Sequence, residues 1–364
     1  MSGVNAESTR DIEGLRQVNL SAVLSLLRQS SPLSRKELAD LTGLNKATIT
    51  RLVRELIAHG LVREVGLQSV KSGRPSILLR LDPEGGYIIG VGLEVSSCSV
   101  ILVDFAGEYI WRRDLPYQAN DPASSLNCAL KLVEEANQIA QTFRRPVLGI
   151  GVSAPGLVDN TRGFLHFAPN LGWRDIPLKQ IFEDRFSFPV YVDNHANMAA
   201  LGEFYFGSAR DCSYGIYVEF TEGVGGGIII DQHILAGVTG LAGEVGHTTI
   251  NPEGPKCNCG NRGCWEAYVN SAALLQRAQF YQLKNKQDST RMVEQSVQEY
   301  QTITQITEGA KAGDPAALEA LKVTGYYVGI GLANLINVFN PDEIILGGYL
   351  KTVFEFMISE INRV

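Results

Sequence analysis

Residues Glu244 to Tyr268, EVGHTTINPEGPKCNCGNRGCWEAY, concentrate the side chains that can do chemistry. Cys257, Cys259 and Cys264 form a C-x-C-x4-C array; His247 lies ten residues before it, and Glu244 and Glu266 flank it. Gly260 and Gly263 fall between the last two cysteines, where a tight ligand loop needs backbone free to take positive φ. Pro255 stiffens the approach. Three thiolates and one imidazole compose a closed tetrahedral set, the usual make-up of a structural Zn2+ site, with one ion per chain. His247 is the expected fourth ligand, with Glu266 or water as substitutes. A disulfide is disfavoured, because neither end of the chain reads as secretory.

A metal-bound imidazole is neutral, and its second nitrogen carries a proton. His247 would then present a fixed donor, and Glu244, three residues earlier, a fixed acceptor. Such a pair suits a ring of hydroxyl groups, so this stretch is expected to bind a sugar while the metal holds its shape. The competing reading of Glu244 and Glu266 is a solvated surface carboxylate.

Something must position that stretch. The chain has 364 residues and 45% hydrophobic content, enough for two or three domains with ample core. The net charge of −7 is unevenly spread: residues 1–80 hold 12 Lys/Arg against 7 Asp/Glu, a local +5 that leaves −12 for the rest. A basic head on an acidic body implies that only the head meets a polyanion. No apolar run reaches the roughly 18 residues that span a bilayer, and the first residues lack a signal-peptide layout. Cys98, Cys128 and Cys212 lie among apolar residues and read as core. A cytoplasmic protein with no membrane partner is expected.

Residues 1–15 are polar and read as mobile. Leu20, Val23, Leu24 and Leu27 then recur at helical spacing. Ser34-Arg35-Lys36-Glu37 is a capping box that opens a second helix ending near Thr42. Gly43 makes the turn, and Asn45 caps a third helix ending near His59-Gly60. The apolar face of that third helix is Ile49, Leu52, Val53, Leu56 and Ile57; Lys46, Thr48, Thr50, Arg51 and Arg54 lie on the other. Two short helices around a glycine turn make a helix-turn-helix, its second helix placed for a major groove. Strand-like segments Leu61–Val65 and Ser76–Leu81 bracket a basic loop containing Lys71 and Arg74, which reads as a wing. The candidate DNA contacts are Arg35, Asn45, Lys46, Thr48, Thr50, Arg51, Lys71 and Arg74. A small helical protein-interaction domain is the alternative.

Asp82-Pro83-Glu84-Gly85-Gly86 marks a boundary between domains 1–82 and 83–364. Beyond it, Tyr87–Val95, Ser99–Phe105 and Tyr109–Leu115 read as a meander, followed by a helix over 122–142 and a buried strand, Val147–Val152. That strand ends in Ser153-Ala154-Pro155-Gly156, at the carboxyl end where open α/β sheets bind ligands. The loop from Phe167 to Trp173 offers Asn170 for hydroxyls and Trp173 for the C–H face of a sugar; a packing role for Trp173 is the alternative. Val190–Val192 leads into Asp193-Asn194-His195-Ala196-Asn197 and a helix. Tyr214–Phe220 and Val224–Ile230 read as a hairpin, and helices over 271–278, 300–312 and 315–339 precede a last strand, Glu343–Leu346. The repeated alternation predicts an α/β body of two lobes around a cleft, actin-like and sugar-kinase-like (ribonuclease H-like), behind an N-terminal all-α winged helix-turn-helix domain.

The sequence resembles the ROK family of repressors and sugar kinases. The resemblance rests on Glu244-Val245-Gly246-His247, on Cys257 through Glu266, on Gly223-Val224-Gly225-Gly226-Gly227, and on Asn340-Pro341-Asp342 leading to Gly347-Gly348. Within that family, Gly43 through Thr48, Pro169 through Ile176 and Gly254 through Tyr268 are most similar to the xylose-type repressors. The resemblance implies sugar contacts from Asn170, Asn194, Glu244, His247 and Glu266, and zinc on His247, Cys257, Cys259 and Cys264. It also implies a sugar effector, with xylose favoured over glucose, an amino sugar or a phosphosugar. Operator DNA is the expected partner, read by a homodimer or homotetramer, since one small head rarely binds tightly alone.

Kinases of this family receive ATP on an Asp-x-Gly-Gly-Thr loop; the matching residues here are Glu94-Val95-Ser96-Ser97. Their second phosphate loop, Gly-Thr-Gly-x-Gly, is here Thr221-Glu222-Gly223-Val224-Gly225. A carboxylate at Glu222 would repel a polyphosphate by roughly 1–4 kcal/mol at about 4 Å. Their general base follows an Asn; here His195 holds that place, and a sugar hydrogen bond or a packed supporting role is the preferred reading. The expectation is a sugar-responsive transcription factor and no enzyme; the alternative is a sugar kinase with a regulatory head.

Overall fold

The computed structural model describes residues 4–68, 75–95, 97–117, 121–210, 212–231, 233–288 and 300–364. The first helix, α1 (Val4–Ser30), starts well before its apolar stripe. From Val4 on, the polar run read as mobile holds no proline and a single glycine, Gly14, so it continues the helix backwards. Arg16 pairs with Glu55 at 2.5 Å, while Val23 and Leu27 are buried.

The short strand β1 (Leu33–Ser34) leads into α2 (Arg35–Thr42) through the predicted capping box. The Ser34 hydroxyl accepts from the Glu37 amide at 3.3 Å, and the Glu37 carboxylate accepts from the Ser34 amide at 2.7 Å. Gly43 closes the helix in the left-handed region. Asn45 caps α3 (Lys46–Ala58), which buries Ile49, Leu52, Val53 and Leu56. Strands β2 (Val62–Gln68) and β3 (Ser76–Leu81) complete a three-stranded antiparallel sheet in the order β1-β3-β2. The head is therefore not all-α: its wing pairs with the strand before α2. Lys71 and Arg74, expected at the tip of the wing, lie outside the described residues.

The body opens with β4 (Tyr87–Leu93), β5 (Ser97–Asp104) and β6 (Tyr109–Pro116), then α4 (Pro122–Thr142), whose helix Asp121 caps, and β7 (Val147–Ala154). Next come β8 (Leu157–Asp159), β9 (Phe164–Ala168) and β10 (Trp173–Ile176), a small antiparallel sheet. Helix α5 (Leu178–Arg185), β11 (Val190–Asn194) and α6 (His195–Phe206) follow. A five-stranded sheet in the order β11-β7-β4-β5-β6 has β4 antiparallel to β5 and parallel to β7. The periodicity of β4 and β5 is two, with alternate residues buried, as a strand predicts.

Strands β12 (Tyr214–Phe220), β13 (Val224–Ile230) and β14 (His233–Ile234) precede the cysteine-rich stretch. After it stand α7 (Glu266–Val269), α8 (Ser271–Asp288), α9 (Ile303–Lys311), α10 (Pro315–Phe339), β15 (Glu343–Gly348) and α11 (Leu350–Arg363). A second sheet runs β14-β13-β12-β15, and α10 packs with α8 and α11 over its core. Two compact units result. One holds the head, the first sheet and Leu178–Val192; the other holds Ala154–Pro177 and everything from Asp193 on. The break in fold type read at residue 82 is not a break in packing, because the head clusters with the first sheet.

Candidate functional site

All six residues expected to touch the ligand fall in the second unit. The cysteine stretch folds as a knuckle. Cys257 N–H donates to the Asn261 carbonyl at 2.8 Å, Gly260 N–H to the Cys257 carbonyl at 3.0 Å, and Gly263 N–H to the Pro255 carbonyl at 2.8 Å. These turns bring one ligand atom each from His247, Cys257, Cys259 and Cys264 within 4.8 Å of one another. Cys259 and Cys264 sulfurs lie 3.8 Å apart, and His247 Nδ1 lies 3.7 Å from Cys257 Sγ. The four could hold a metal ion. Burial pushes the Cys257 and Cys264 thiols above their ordinary range, so thiolates persist there only beside a cation.

Trp265 anchors the knuckle. It is fully buried, its ring nitrogen donates to the Tyr327 carbonyl at 2.8 Å, and it fills the space above Gly331 of α10. Gly263 cannot be replaced. Its φ is +69°, and a Cβ would stand 1.6 Å from the Asn251 carbonyl oxygen. The left-handed conformation and the overpacking each cost about 1–3 kcal/mol. Gly263→Ala is therefore expected to lower the melting temperature and the bound metal together, read by calorimetry and elemental analysis. Full metal content at wild-type stability would contradict this account of the knuckle.

His247 turns its other nitrogen, Nε2, toward Glu244, 3.9 Å from Oε2. The sequence expected one ring nitrogen on the metal and the other, alongside Glu244, offered to sugar hydroxyls; here that second nitrogen and the Glu244 carboxylate lie side by side. Burial pushes Glu244 above the usual carboxylate range, against His247 and with Glu266 adding repulsion. Glu266 is 7% exposed. One of its oxygens accepts from the Val224 amide at 2.9 Å, and the other lies 3.5 Å from Cys257 Sγ. Glu266 therefore connects the knuckle to the start of β13, beside the four candidate ligands but outside their group.

Gly223 makes room for this group. A Cβ there would lie 2.8 Å from the Glu266 carboxylate and 3.4 Å from the Asn170 amide, so Asn170 and Glu266 converge on one bare backbone position. The sequence signalled Gly223 only as part of a loop; its role as the floor between two polar side chains needed coordinates.

Two expectations change. Trp173 is 1% exposed; it opens β10 and packs inward, so it offers no ring face to a ligand. Asn194 is committed to structure: it caps α6 by accepting from the Ala196 amide at 2.8 Å, and its amide donates to the Gly156 carbonyl at 2.7 Å. That bond ties the helix to the loop after β7. His195 follows at the first helical position, and its Nε2 lies 3.0 Å from Glu219 Oε2. Burial pushes Glu219 up, but His195, the Tyr217 hydroxyl and Lys351 outweigh it and hold the carboxyl below its usual range. Glu219 was missed by the sequence reading; its only signal was a charge two residues after Tyr217 on one face of an otherwise apolar strand.

On the head, Asn45, Lys46, Arg51 and Arg54 are exposed along α3, opposite its buried stripe. Asn45 accepts from the Thr48 amide at 2.8 Å, and the Thr50 hydroxyl donates to the Lys46 carbonyl at 2.7 Å. Arg35, at the start of α2, pairs with Glu64 at 2.9 Å. Lys46 and Arg51 thus offer free-standing charge, whereas Asn45, Thr50 and Arg35 are held in place by neighbours.

A sequence model of the ROK family matches residues 88–363. The chain belongs to the ROK family. A model of the IclR helix-turn-helix domain matches residues 19–66. The xylose repressor of Bacillus spizizenii is 37% identical over 332 residues, 91% of this chain and 82% of that protein. The crystal structure of a ROK family transcriptional regulator, a homologue of the E. coli MLC protein, superposes with a TM-score of 0.81 at 28% identity, covering 96% of this chain and 87% of that one. A ROK glucokinase from Streptomyces griseus, solved with glucose and AMPPNP, superposes at 0.65 with 31% identity, covering 76% of this chain and 89% of that one. The stretch that the kinase leaves uncovered is the size of the head. These likenesses place the body in the mixed α/β, actin-like class of sugar kinases and ROK regulators.

Proposed function

We propose that this chain is a DNA-binding repressor of carbohydrate-utilisation genes whose operator affinity falls when a sugar binds in the second unit. The observation that carries the reading is the convergence of Asn170 and Glu266 on Gly223, beside the Glu244–His247 pair, in a chain that also carries a helix-turn-helix with an exposed basic face. Asn170, Glu244, His247 and Glu266 supply donors and acceptors to sugar hydroxyls. His195, oriented by Glu219, acts on the sugar from the start of α6, and Asn194 holds that helix start in place. Xylose is the favoured effector, by likeness to the xylose repressors.

The metal is Zn2+, held by His247, Cys257, Cys259 and Cys264. A tetrahedron with zinc–sulfur bonds of about 2.3 Å has edges of about 3.8 Å, and the Cys259–Cys264 separation of 3.8 Å supports that assignment. Its part is structural. It fixes His247 so that the second nitrogen faces the sugar, and it keeps Glu266 beside Cys257.

The protein acts in the cytoplasm as a homodimer or homotetramer, each head reading one half-site. Among the described residues no helix is long and apolar enough to cross a membrane. Lys46, Thr48 and Arg51 contact bases or phosphates from α3, with Asn45 and Thr50 ordering its first turns and Arg35 at the start of α2; Lys71 and Arg74 are further candidate contacts by sequence. Arg51→Ala is expected to weaken operator binding and to reduce the salt slope by about one if Arg51 neutralises a phosphate. Unchanged operator affinity at every salt concentration would count against this placement of α3.

A second reading, a sugar kinase with a regulatory head, is favoured by the likeness to the glucokinase. Against it, Glu222 stands exposed in the turn that would face phosphates, and His195 is engaged by Glu219. Incubation with ATP, Mg2+ and a panel of aldoses tests it. No sugar phosphate is expected, and stoichiometric turnover would replace the repressor reading with the kinase one.

A further inference from the structure

The turn between β5 and β6 does not end at the surface of its own sheet. Asp104, 8% exposed, accepts from the amides of Ala106 and Glu108 through one carboxylate oxygen, at 2.9 and 3.0 Å. Gly107 completes the turn with φ +93°. This clamp fixes residue 105 at the tip, where connecting segments ordinarily face water. Phe105 is nevertheless only 9% exposed, and it belongs to the head's own apolar cluster with Val23, Leu27, Leu56 and Leu81.

The segment between head and sheet leaves no slack around that ring. A Cβ on Gly85 would lie 3.0 Å from the Gly60 carbonyl oxygen and 3.3 Å from both the Leu61 side chain and the Phe105 ring. The Asp82 amide donates to the Leu61 carbonyl at 2.9 Å, and Arg145, before β7, pairs with Glu84. We propose that Phe105 is a positioning residue that pins the DNA-reading head to the β4–β7 sheet. Head and sheet then turn as one body, and residues 82–86 are a strut with no independent swing. An oligomer built this way presents its heads at a spacing set by the sheets that carry them. Only this last consequence rests on the DNA-binding reading.

Amide hydrogen exchange on the full chain tests the pin without DNA or sugar. In Phe105→Ala, amides of α3 and β3 are expected to exchange about tenfold faster or more, while those of β4 and β5 stay within about threefold of wild type. Tenfold is about 1.4 kcal/mol, a fraction of what truncating a buried phenylalanine costs. Phe105→Leu should fall between the two and carries the test if the alanine variant does not fold. Unchanged α3 exchange in both variants, or an equal acceleration in β4 and β5, would overturn the proposal. On DNA selected by the wild-type protein, the alanine variant should lose affinity for paired half-sites and keep its affinity for one. A wild-type protein that prefers no DNA would sink the operator reading and leave the exchange result standing.

Discussion

Cys264→Ser is expected to cost the protein its metal and, with it, most of its sugar affinity. Cys264 is fully buried, and its sulfur lies 3.8 Å from that of Cys259. Supporting groups around a metal are each worth 10- to 100-fold in affinity, so a primary thiolate should exceed about 100-fold. That is about 2.7 kcal/mol of metal-linked stability, or roughly 5–11 °C in melting temperature for a domain of this size. The link to sugar runs through two contacts. His247 faces Glu244 with one nitrogen and Cys257 with the other, and Glu266 reaches from Cys257 to the Val224 amide. Chelation of the wild-type protein should reproduce both losses. A variant that keeps one equivalent of zinc by elemental analysis, or a metal-free protein that binds sugar at wild-type affinity, would refute the structural role given to the ion.

Glu244→Ala should weaken sugar binding by roughly 10- to 150-fold, the loss of one charge-assisted hydrogen bond of about 1.5–3 kcal/mol. Operator affinity in the absence of sugar should not move, because the head lies in the other compact unit. Titration calorimetry with the effector and a DNA-binding curve without it separate the two. A Glu244→Ala protein that responds at wild-type sugar concentrations places the ligand elsewhere. One that loses operator binding outright shows that the substitution has damaged more than the site.

Much of this arrangement was legible in the sequence because it is local. The capping box at Ser34, the cap at Asn45 and the left-handed Gly43 are set by residues within four positions of each other, and each stands where the spacing put it. The knuckle was legible for the same reason: Cys257, Cys259 and Cys264 sit within eight residues, and glycines mark its turns. Long-range contacts were not. Glu219 meets His195 from a strand 24 residues later, and Gly223 takes on meaning only beside Asn170 and Glu266. Trp173 and Asn194 were read as ligand groups because their types suit sugars, but packing and a helix terminus claimed them first. The third strand of the head's sheet escaped notice because Leu33-Ser34 is too short to show a period of two.

The most direct test of the central claim is operator binding measured against a panel of free monosaccharides, with and without ATP and Mg2+. The account predicts that one sugar alone, xylose first among them, lowers operator affinity by about 5- to 150-fold, a coupling of 1–3 kcal/mol, and that ATP changes nothing. An operator affinity that no free sugar alters, or that shifts only when ATP is consumed, would contradict it.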